Sequence, residues 1–142
     1  MLFIDKGCAY MEFNRLIPEL TVSNLEASKH FYMDLCGFQL EYERKTEKFA
    51  FLSLEGSQIM LEEIHTGGWN VGKLHYPFGR GVNFSMEIDD IDARYQRFVF
   101  HRYPLYRTLI INQYQSNGES IKQKEFLVQD PDGYLLRFTQ EL

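Results

Sequence analysis

The sequence contains one arrangement of elements twice, and this repeat constrains the fold more than any other feature. Each half begins with a run in which apolar and polar residues alternate, which predicts a strand. A helical pattern follows, and three further strand-like runs complete the half. Val22 corresponds to Ile88 at the end of the opening strand, and Gly56 corresponds to Gly133 in the last hairpin. The predicted fold class is α+β, with two βαβββ modules whose curved mixed sheets surround a cavity.

The repeat also predicts how the chain is divided. Residues 16–142 are expected to form a single domain of two modules, residues 16–64 and residues 82–142. Residues 65–81, which join them, contain five glycines and Trp69. This composition favours a linker or a binding loop, because functional residues lie disproportionately on loops.

Residues 1–15 do not fit the repeat and are interpreted as an N-terminal extension. Met11 is one possible start of the protein, and Leu2-Phe3-Ile4 alternatively forms a short strand across a dimer. The sequence does not choose between these two interpretations.

Helix and turn signals fit the same arrangement. Ser23 and Glu26 form a capping box that predicts the start of the first helix, and Gly37 is a natural C-terminal cap after Cys36. In the second module, Asp89-Asp90 supplies the acidic start of a helix that ends near residue 101. Asn117-Gly118 is typical of a two-residue hairpin turn.

A period of two along the predicted strands separates two faces of each sheet. One face is apolar and is expected to pack against the helices; it contains Leu20, Val22, Ile59, Leu61, Phe84, Met86, Ile88, Leu136 and Phe138. The other face is mixed and polar; it contains Ile17, Glu19, Thr21, Gln58, Met60, Glu62, Asn83, Ser85, Glu87, Leu135, Arg137 and Thr139. It is either the wall of a ligand cavity or a solvated face, which antiparallel sheets commonly have.

Composition and charge exclude several classes of protein. The net charge of −5 and the absence of a Lys/Arg cluster argue against nucleic-acid binding. No apolar run approaches the roughly 20 residues of a membrane helix, and the first residues lack the core of a signal peptide. Cys8 and Cys36 have no metal-ligand spacing, so reduced thiols in a cytoplasmic protein are expected.

The tail of the chain carries the clearest family marker. Asp130-Pro131-Asp132-Gly133 is a turn, because proline fixes φ and glycine permits a positive φ, and a strand follows over Tyr134–Gln140. Together with Val22-Ser23-Asn24-Leu25 and the doubled order of elements, this tail resembles the glyoxalase/bleomycin-resistance/dioxygenase family, or vicinal oxygen chelate superfamily. The resemblance covers residues 16–142. Ile59-Met60-Leu61-Glu62 is similar to a strand of the bleomycin resistance proteins.

The resemblance implies where a metal would be bound in the enzymes of the family. The four corresponding positions are occupied here by Ile17, Met60, Asn83 and Arg137. A divalent metal needs histidine, carboxylate, glutamine or thiolate donors that converge on one point. Isoleucine and arginine are not donors, so we expect no metal and no other cofactor.

Bleomycin resistance proteins act without chemistry: they form homodimers and sequester a flat, cationic glycopeptide in clefts between the subunits. Such a site needs aromatic planes for stacking and carboxylates for cationic groups. The resemblance therefore implies a small-molecule ligand, with a bleomycin-type antibiotic as a candidate. The residues expected to bind it are Trp69, Tyr76, Phe78, Glu19, Glu62, Asn83, Ser85 and Arg137.

Ordinary structural roles are the alternatives to ligand binding for these residues. The loop aromatics serve equally well as a lid or an anchor for the loop, and the glutamates as solvated side chains. For Arg137 the first expectation is a structural salt bridge with Glu62 across the cavity. The second is recognition of an anionic ligand, for which a guanidinium is suited.

The leading hypothesis is therefore a metal-free binding protein that sequesters a ligand in the clefts of a homodimer. The alternative is a metal-dependent glyoxalase-like lyase or dioxygenase. A third hypothesis is a divergent member that binds another metabolite or serves only as a dimeric interaction module. Neither a nucleic-acid partner nor a membrane partner is expected.

Overall fold

The computed structural model of the protein describes residues 3–6 and 9–142. Met1, Leu2, Gly7 and Cys8 lie outside the described residues, so the predicted thiol state of Cys8 and the part of the N-terminal strand at Leu2 are not covered.

The described part of the chain contains ten strands and two α-helices, and the elements after residue 15 follow the order that the repeat predicts. The N-terminal strands are β1 (Phe3–Lys6) and β2 (Ala9–Glu12). The first module consists of β3 (Glu19–Val22), α1 (Leu25–His30) with a π-helical extension (Phe31–Leu35), β4 (Gln39–Arg44), β5 (Phe49–Leu54) and β6 (Ser57–Glu63). The second module consists of β7 (Asn83–Glu87), α2 (Ile91–Phe100), β8 (Arg107–Ser116), β9 (Glu119–Gln129) and β10 (Leu135–Glu141).

The two modules have the same sheet topology. The first sheet has the order β3-β6-β5-β4 and the second sheet the order β7-β10-β9-β8. In each, the opening strand pairs in parallel with the last strand and the other pairs are antiparallel. The strands β1 and β2 pair with each other as a separate hairpin. The predicted α+β class and the two βαβββ modules are confirmed.

The core lies between the helices and the apolar faces of both sheets. The predicted apolar face is buried throughout except at Phe84, which is half-buried. One cluster of buried side chains joins Leu20 and Leu61 of the first sheet to Phe126 and Phe138 of the second. The period-two prediction was therefore correct, because an alternating strand can bury only one face against a helix.

The turn at Asp130–Gly133 joins the second hairpin to the first module. The hydroxyl of Tyr32, in the π-helical extension, donates to Asp130 Oδ2 over 2.7 Å, and the amide of Ser23 donates to Asp132 Oδ2 over 3.0 Å. The amides of Asp132 and Tyr134 donate to Asp130 Oδ1, each over 2.9 Å. Burial raises the pKa of Asp130 to about 6, against the hydrogen bonds that favour its charged form.

The cap of the first helix differs from the prediction. Asn24, not Ser23, is the N-cap, and its side-chain oxygen accepts from the amide of Ala27 over 3.0 Å. Glu26 lies within 3.5 Å of Lys29 instead of completing a capping box. Gly37 has the expected positive φ of 89°, as a C-terminal glycine cap requires.

Candidate functional site

The face of each sheet that points away from the helices, here called its open face, carries those candidate site residues that lie on strands. On the first sheet this face contains two adjoining clefts. The larger, of about 690 Å³, is lined by Glu19, Arg44, Thr46, Glu47, Lys48, Glu62, Glu63, Ile64, His65, Gly67 and Trp69. The second, of about 650 Å³, is lined by Phe13, Asn14, Arg15, Ile17, Tyr42, Phe51 and Met60. All of these residues precede the second module.

An aromatic layer lies on the open face of the first sheet, and part of it lines the smaller of the two clefts. Phe49 and Phe51 of β5 are buried although they lie on the open face. The ring of Tyr42 stacks on Phe51 with the centroids 5.2 Å apart, and Phe13 packs edge-on at 5.2 Å. The guanidinium of Arg44 lies 4.0 Å from the centre of the Phe49 ring, within the range of a cation–π contact. Phe13, Tyr42 and Phe51 therefore give the smaller cleft an aromatic floor.

Within the described part of the chain, two carboxylates of the larger cleft, Glu19 and Glu62, form no salt bridge with a lysine or an arginine. Lys48 lies 2.9 Å from Glu63, and Arg44 lies within 4.0 Å of Glu47. Glu19 has no ion-pair partner among the described residues. Partial desolvation, followed by repulsion from Glu62, raises its pKa, and the charge of Arg44 opposes this rise in part. The cleft therefore favours a positive charge near Glu19 and Glu62.

The loop after β6 is fixed by His65 at its start. His65 Nε2 lies 2.5 Å from Glu62 Oε1, and the amide of Gly67 donates to His65 Nδ1 over 3.1 Å. Since Nδ1 accepts, the imidazole carries its proton on Nε2 and donates to Glu62. Asn70 accepts from the Thr21 hydroxyl over 2.7 Å, which ties the loop to β3. Between these anchors Trp69 stands 94% exposed beside the cleft.

The open face of the second sheet is polar. Arg137 on β10 lies beside Ser85 on β7, and Leu135 lies beside Asn83. The partner of Arg137 is Glu125 on β9, with 3.8 Å between Arg137 Nη1 and Glu125 Oε2. The expected salt bridge of Arg137 with Glu62 is wrong, because Glu62 belongs to the first sheet, where it pairs with His65.

The predicted ligand-binding residues are thus divided among separate places. Glu19, Glu62 and Trp69 meet at the larger cleft of the first sheet. Asn83, Ser85 and Arg137 lie on the open face of the second sheet. Tyr76 lines a smaller cleft of about 370 Å³ with Tyr103, Pro104, Leu105, Tyr106, Gln129, Asp130 and Pro131. Phe78 packs edge-on against Tyr134, with the ring centroids 5.9 Å apart.

Sequence reasoning missed several residues of both faces. The continuous apolar run Phe49–Leu52 carried a usable signal, since a strand without alternation is buried on both faces. No sequence pattern marks Glu125 as buried, because its neighbours in β9 include Lys122, Lys124 and Glu119, as on any solvated strand.

The fold and the open faces define a protein of two βαβββ modules with a ligand-sized cleft on a sheet. The family model "Glyoxalase/Bleomycin resistance protein/Dioxygenase superfamily" matches residues 13–138. The chain belongs to this superfamily.

Solved structures include similar proteins. A superfamily member from Vibrio splendidus 12B01 is 38% identical, with 87% of this chain and 95% of that chain covered and a TM-score of 0.42. A virulence protein from Salmonella typhimurium is 18% identical, with coverage of 93% and 100% and a TM-score of 0.65. TioX from Micromonospora sp. ML1 is also 18% identical, with coverage of 92% and 100% and a TM-score of 0.65. The last two support the fold alone. No curated protein matches the chain.

The four family positions for a metal do not fit a divalent ion. Ile17 and Met60 line the smaller cleft of the first sheet, whereas Asn83 and Arg137 lie on the second sheet. Two of the four side chains have no donor for a metal, and thioether sulfur is a soft ligand. Within residues 3–6 and 9–142, no group of three or more His, Cys, Asp or Glu side chains is placed to hold a metal.

None of the helices in the described part of the chain is long and apolar enough to cross a membrane.

Proposed function

We propose that the protein is a non-enzymatic, metal-free binding protein that sequesters a flat, positively charged small molecule on the open face of the first sheet. The observation that carries this proposal is the larger cleft, in which the exposed Trp69 indole stands beside Glu19 and Glu62. An indole offers a face for stacking, and two neighbouring carboxylates that form no salt bridge with a lysine or arginine of the described residues favour a cation.

The aromatic floor of the adjoining smaller cleft supports the same ligand chemistry. Tyr42 and Phe51 are already stacked, so the plane is formed before any ligand arrives. A preformed plane lowers the ordering cost of binding. A bleomycin-type antibiotic, which combines planar rings with positive charge, is one candidate of this class.

We further propose that the protein is a homodimer and that the second sheet of a partner copy covers the cleft. Both clefts are lined only by residues 13–69. The second module exposes apolar side chains at Ile110, Ile111 and Tyr114, on the strand at the edge of its sheet. Sedimentation equilibrium is expected to give twice the mass of one chain; a monomer at micromolar concentration contradicts the dimer but not the cleft.

Trp69 is the only tryptophan of the chain and reports on the cleft directly. Titration with benzamidine, a flat cation, is expected to change its fluorescence with a millimolar dissociation constant, and bleomycin to do so at lower concentration. Glu62→Gln and Glu19→Gln are each expected to weaken benzamidine binding about five- to tenfold, since each removes one charge at the cleft.

The matched control is Glu26→Gln, which removes the same charge from the exposed first turn of α1 and is expected to leave binding unchanged. Equal losses in all three variants would mean that only the net charge matters. A fluorescence signal that no probe changes would overturn the proposed site, and failure of bleomycin alone would remove only that candidate. Stoichiometric Zn, Ni, Mn or Fe in the purified protein would favour the metal-dependent lyase or dioxygenase instead.

A further inference from the structure

A buried carboxylate lies in the middle of the open face of the second sheet. Glu125 on β9 is only 4% exposed, between Ile110 on β8 and Thr139 on β10. A buried carboxylate is costly unless neighbouring groups bind or neutralise it. Its partners therefore show what this face is built to hold.

The two oxygens of Glu125 have different partners. Oε1 accepts a hydrogen bond from the Tyr114 hydroxyl over 2.5 Å and another from the side-chain amide of Asn112. Oε2 lies 3.8 Å from Arg137 Nη1, which is too long for a hydrogen bond, and it is buried without any other partner. The ion pair thus neutralises Arg137 without using its N–H groups.

Arg137 keeps its donors available. Its side chain is one-third exposed, at 33%, and it makes no hydrogen bond within the described part of the chain. Its Nε is buried and unpartnered, so the terminal Nη groups are the donors that a ligand can reach. An arginine with unused donors beside a buried acid is suited to an oxygen acceptor of a ligand.

Tyr114 presents an acceptor next to this donor. Its proton is committed to Glu125, so the lone pairs of its oxygen remain for a ligand, apart from a long contact of 3.4 Å with the Asn112 amide. The hydrogen bond to Glu125 raises the pKa of Tyr114, which keeps the phenol protonated and its orientation fixed.

The charges and the surroundings select the ligand class. Glu125 repels a bare anion that approaches Arg137, and Arg137 repels a cation that approaches Tyr114. Ile110, which is 46% exposed, and the half-buried Leu127 offer apolar contact on the same face. A neutral group with one acceptor and one donor fits this arrangement.

We propose that the open face of the second sheet binds a carboxamide of an uncharged ligand, whose oxygen accepts from Arg137 and whose N–H donates to Tyr114 Oη. Glu125 is a positioning residue, which orients the tyrosine hydroxyl inward and balances the arginine charge. This site uses only residues of the second sheet, so it can be tested separately from the cationic cleft of the first sheet, which the same face of a partner copy is proposed to cover.

Three isosteric probes test the proposal on the full chain. Benzamide has an acceptor and a donor, benzoate has only acceptors and is anionic, and benzamidine has only donors and is cationic. Titrations followed by ¹H–¹⁵N correlation spectra are expected to show benzamide shifting amides of β8, β9 and β10 with a dissociation constant below about 10 mM. Benzoate and benzamidine are expected to bind there at least about fivefold more weakly.

Variants separate recognition from a merely structural role. Tyr114→Phe is expected to weaken benzamide about fivefold and to leave benzoate unchanged, because only the amide uses the phenol oxygen. Glu125→Gln removes the balancing charge, so the preference is expected to change from benzamide to benzoate. Tyr106→Phe, which changes an exposed tyrosine away from this face, is the control and is expected to change neither.

The outcomes are distinct from those of the first cleft. Benzamidine that changes Trp69 fluorescence while benzamide shifts no amide of the second sheet overturns this site and leaves the proposed function intact. Benzamide binding at the second sheet, with no probe changing Trp69 fluorescence, overturns the proposed function and leaves the carboxamide site intact. A wild-type preference for benzoate, or a Glu125→Gln variant that folds and still prefers benzamide, also overturns the carboxamide site. If Glu125→Gln does not fold, the Tyr114→Phe result alone decides.

Discussion

Phe49 and Glu125 occupy the same place in the two sheets and show how far two copies of one scaffold have diverged. Each lies on the third strand of its module, opposite the last strand: Phe49 opposite Glu62, and Glu125 opposite Thr139. Both side chains are buried, and each has a guanidinium about 4 Å away, from Arg44 in the first sheet and Arg137 in the second. One arginine rests on a ring, and the other faces a carboxylate.

This difference determines what each face can bind. A ring beneath a guanidinium tolerates any flat ligand, since stacking is not directional in the plane. A buried carboxylate instead fixes the orientation of its polar neighbours, because a polar group without a hydrogen-bond partner is costly in a region that water does not reach. The first face is therefore suited to shape and charge, and the second to a specific pattern of hydrogen bonds.

The largest effect is expected from removing the aromatic floor. Phe51→Ala deletes a buried ring that packs on Phe13 and Tyr42, and is expected to lower the free energy of unfolding by about 4 kcal/mol. Leu127→Ala, at the corresponding half-buried position of the second sheet, is expected to cost about 2 kcal/mol. Urea unfolding measures both. Equal losses would show that the two open faces are packed alike and would remove the contrast.

The turns of the two last hairpins differ in burial, and this predicts a pH dependence. Asp130 is buried in the second turn, and its pKa is raised to about 6. A raised pKa stabilises the folded state fully below about pH 4, and this contribution, up to about 3 kcal/mol, is lost as the pH rises through about 6.

Asp130→Asn cannot ionise and should lack this loss. The difference in unfolding free energy between wild type and variant is therefore expected to shift against the wild type between pH 4 and pH 7. Urea unfolding at each pH measures this difference, in which the other titrating groups cancel. Parallel pH profiles would show that Asp130 keeps an ordinary pKa despite its burial.

The turn glycines sharpen the same comparison. Gly133 and Gly56 both have a positive φ, of 97° and 90°. A Cβ on Gly133 would lie 2.6 Å from the backbone Cα of Pro77, whereas a Cβ on Gly56 would meet nothing within 4 Å. Gly56→Ala is expected to cost about 1 kcal/mol through strain alone, and Gly133→Ala about 2 kcal/mol more. Thermal unfolding distinguishes the two; equal shifts would show that the loop at Pro77 yields without cost.

Much of the fold could be predicted because it depends on local patterns. Alternation predicted the buried face, and paired turn signals such as Asn117-Gly118 predicted the hairpins, since a positive φ there restricts the residue type. The opening strand was predicted from Leu16 but begins at Glu19. Leu16 precedes Pro18, whose missing N–H cannot join a ladder, and it is exposed.

The site could be predicted only in part because it depends on contacts between distant residues. Glu19 and Glu62 lie on neighbouring strands, so their meeting followed from the topology. The pairing of Arg137 with Glu125 did not, since the resemblance placed the two sheets around one cavity and suggested a partner on the opposite sheet. Burial of Glu125 depends on side chains from three strands, and a single sequence does not show which charge they enclose.

The smallest effect concerns the helix caps, where the two modules are alike. Asn24 Oδ1 accepts from the Ala27 amide and Asp90 Oδ1 from the Ala93 amide, each over 3.0 Å. Asn24→Ala and Asp90→Ala are each expected to lower the unfolding free energy by about 1 kcal/mol, because one amide at each helix start loses its acceptor.

Ser23→Ala serves as the control: its contact to Asp132 is made by the backbone amide, which alanine keeps. A loss for Ser23→Ala as large as that for Asn24→Ala would restore Ser23 as the cap and contradict the assignment. Equal losses for Asn24→Ala and Asp90→Ala would confirm that the duplicated scaffold has kept its helix starts while its open faces diverged.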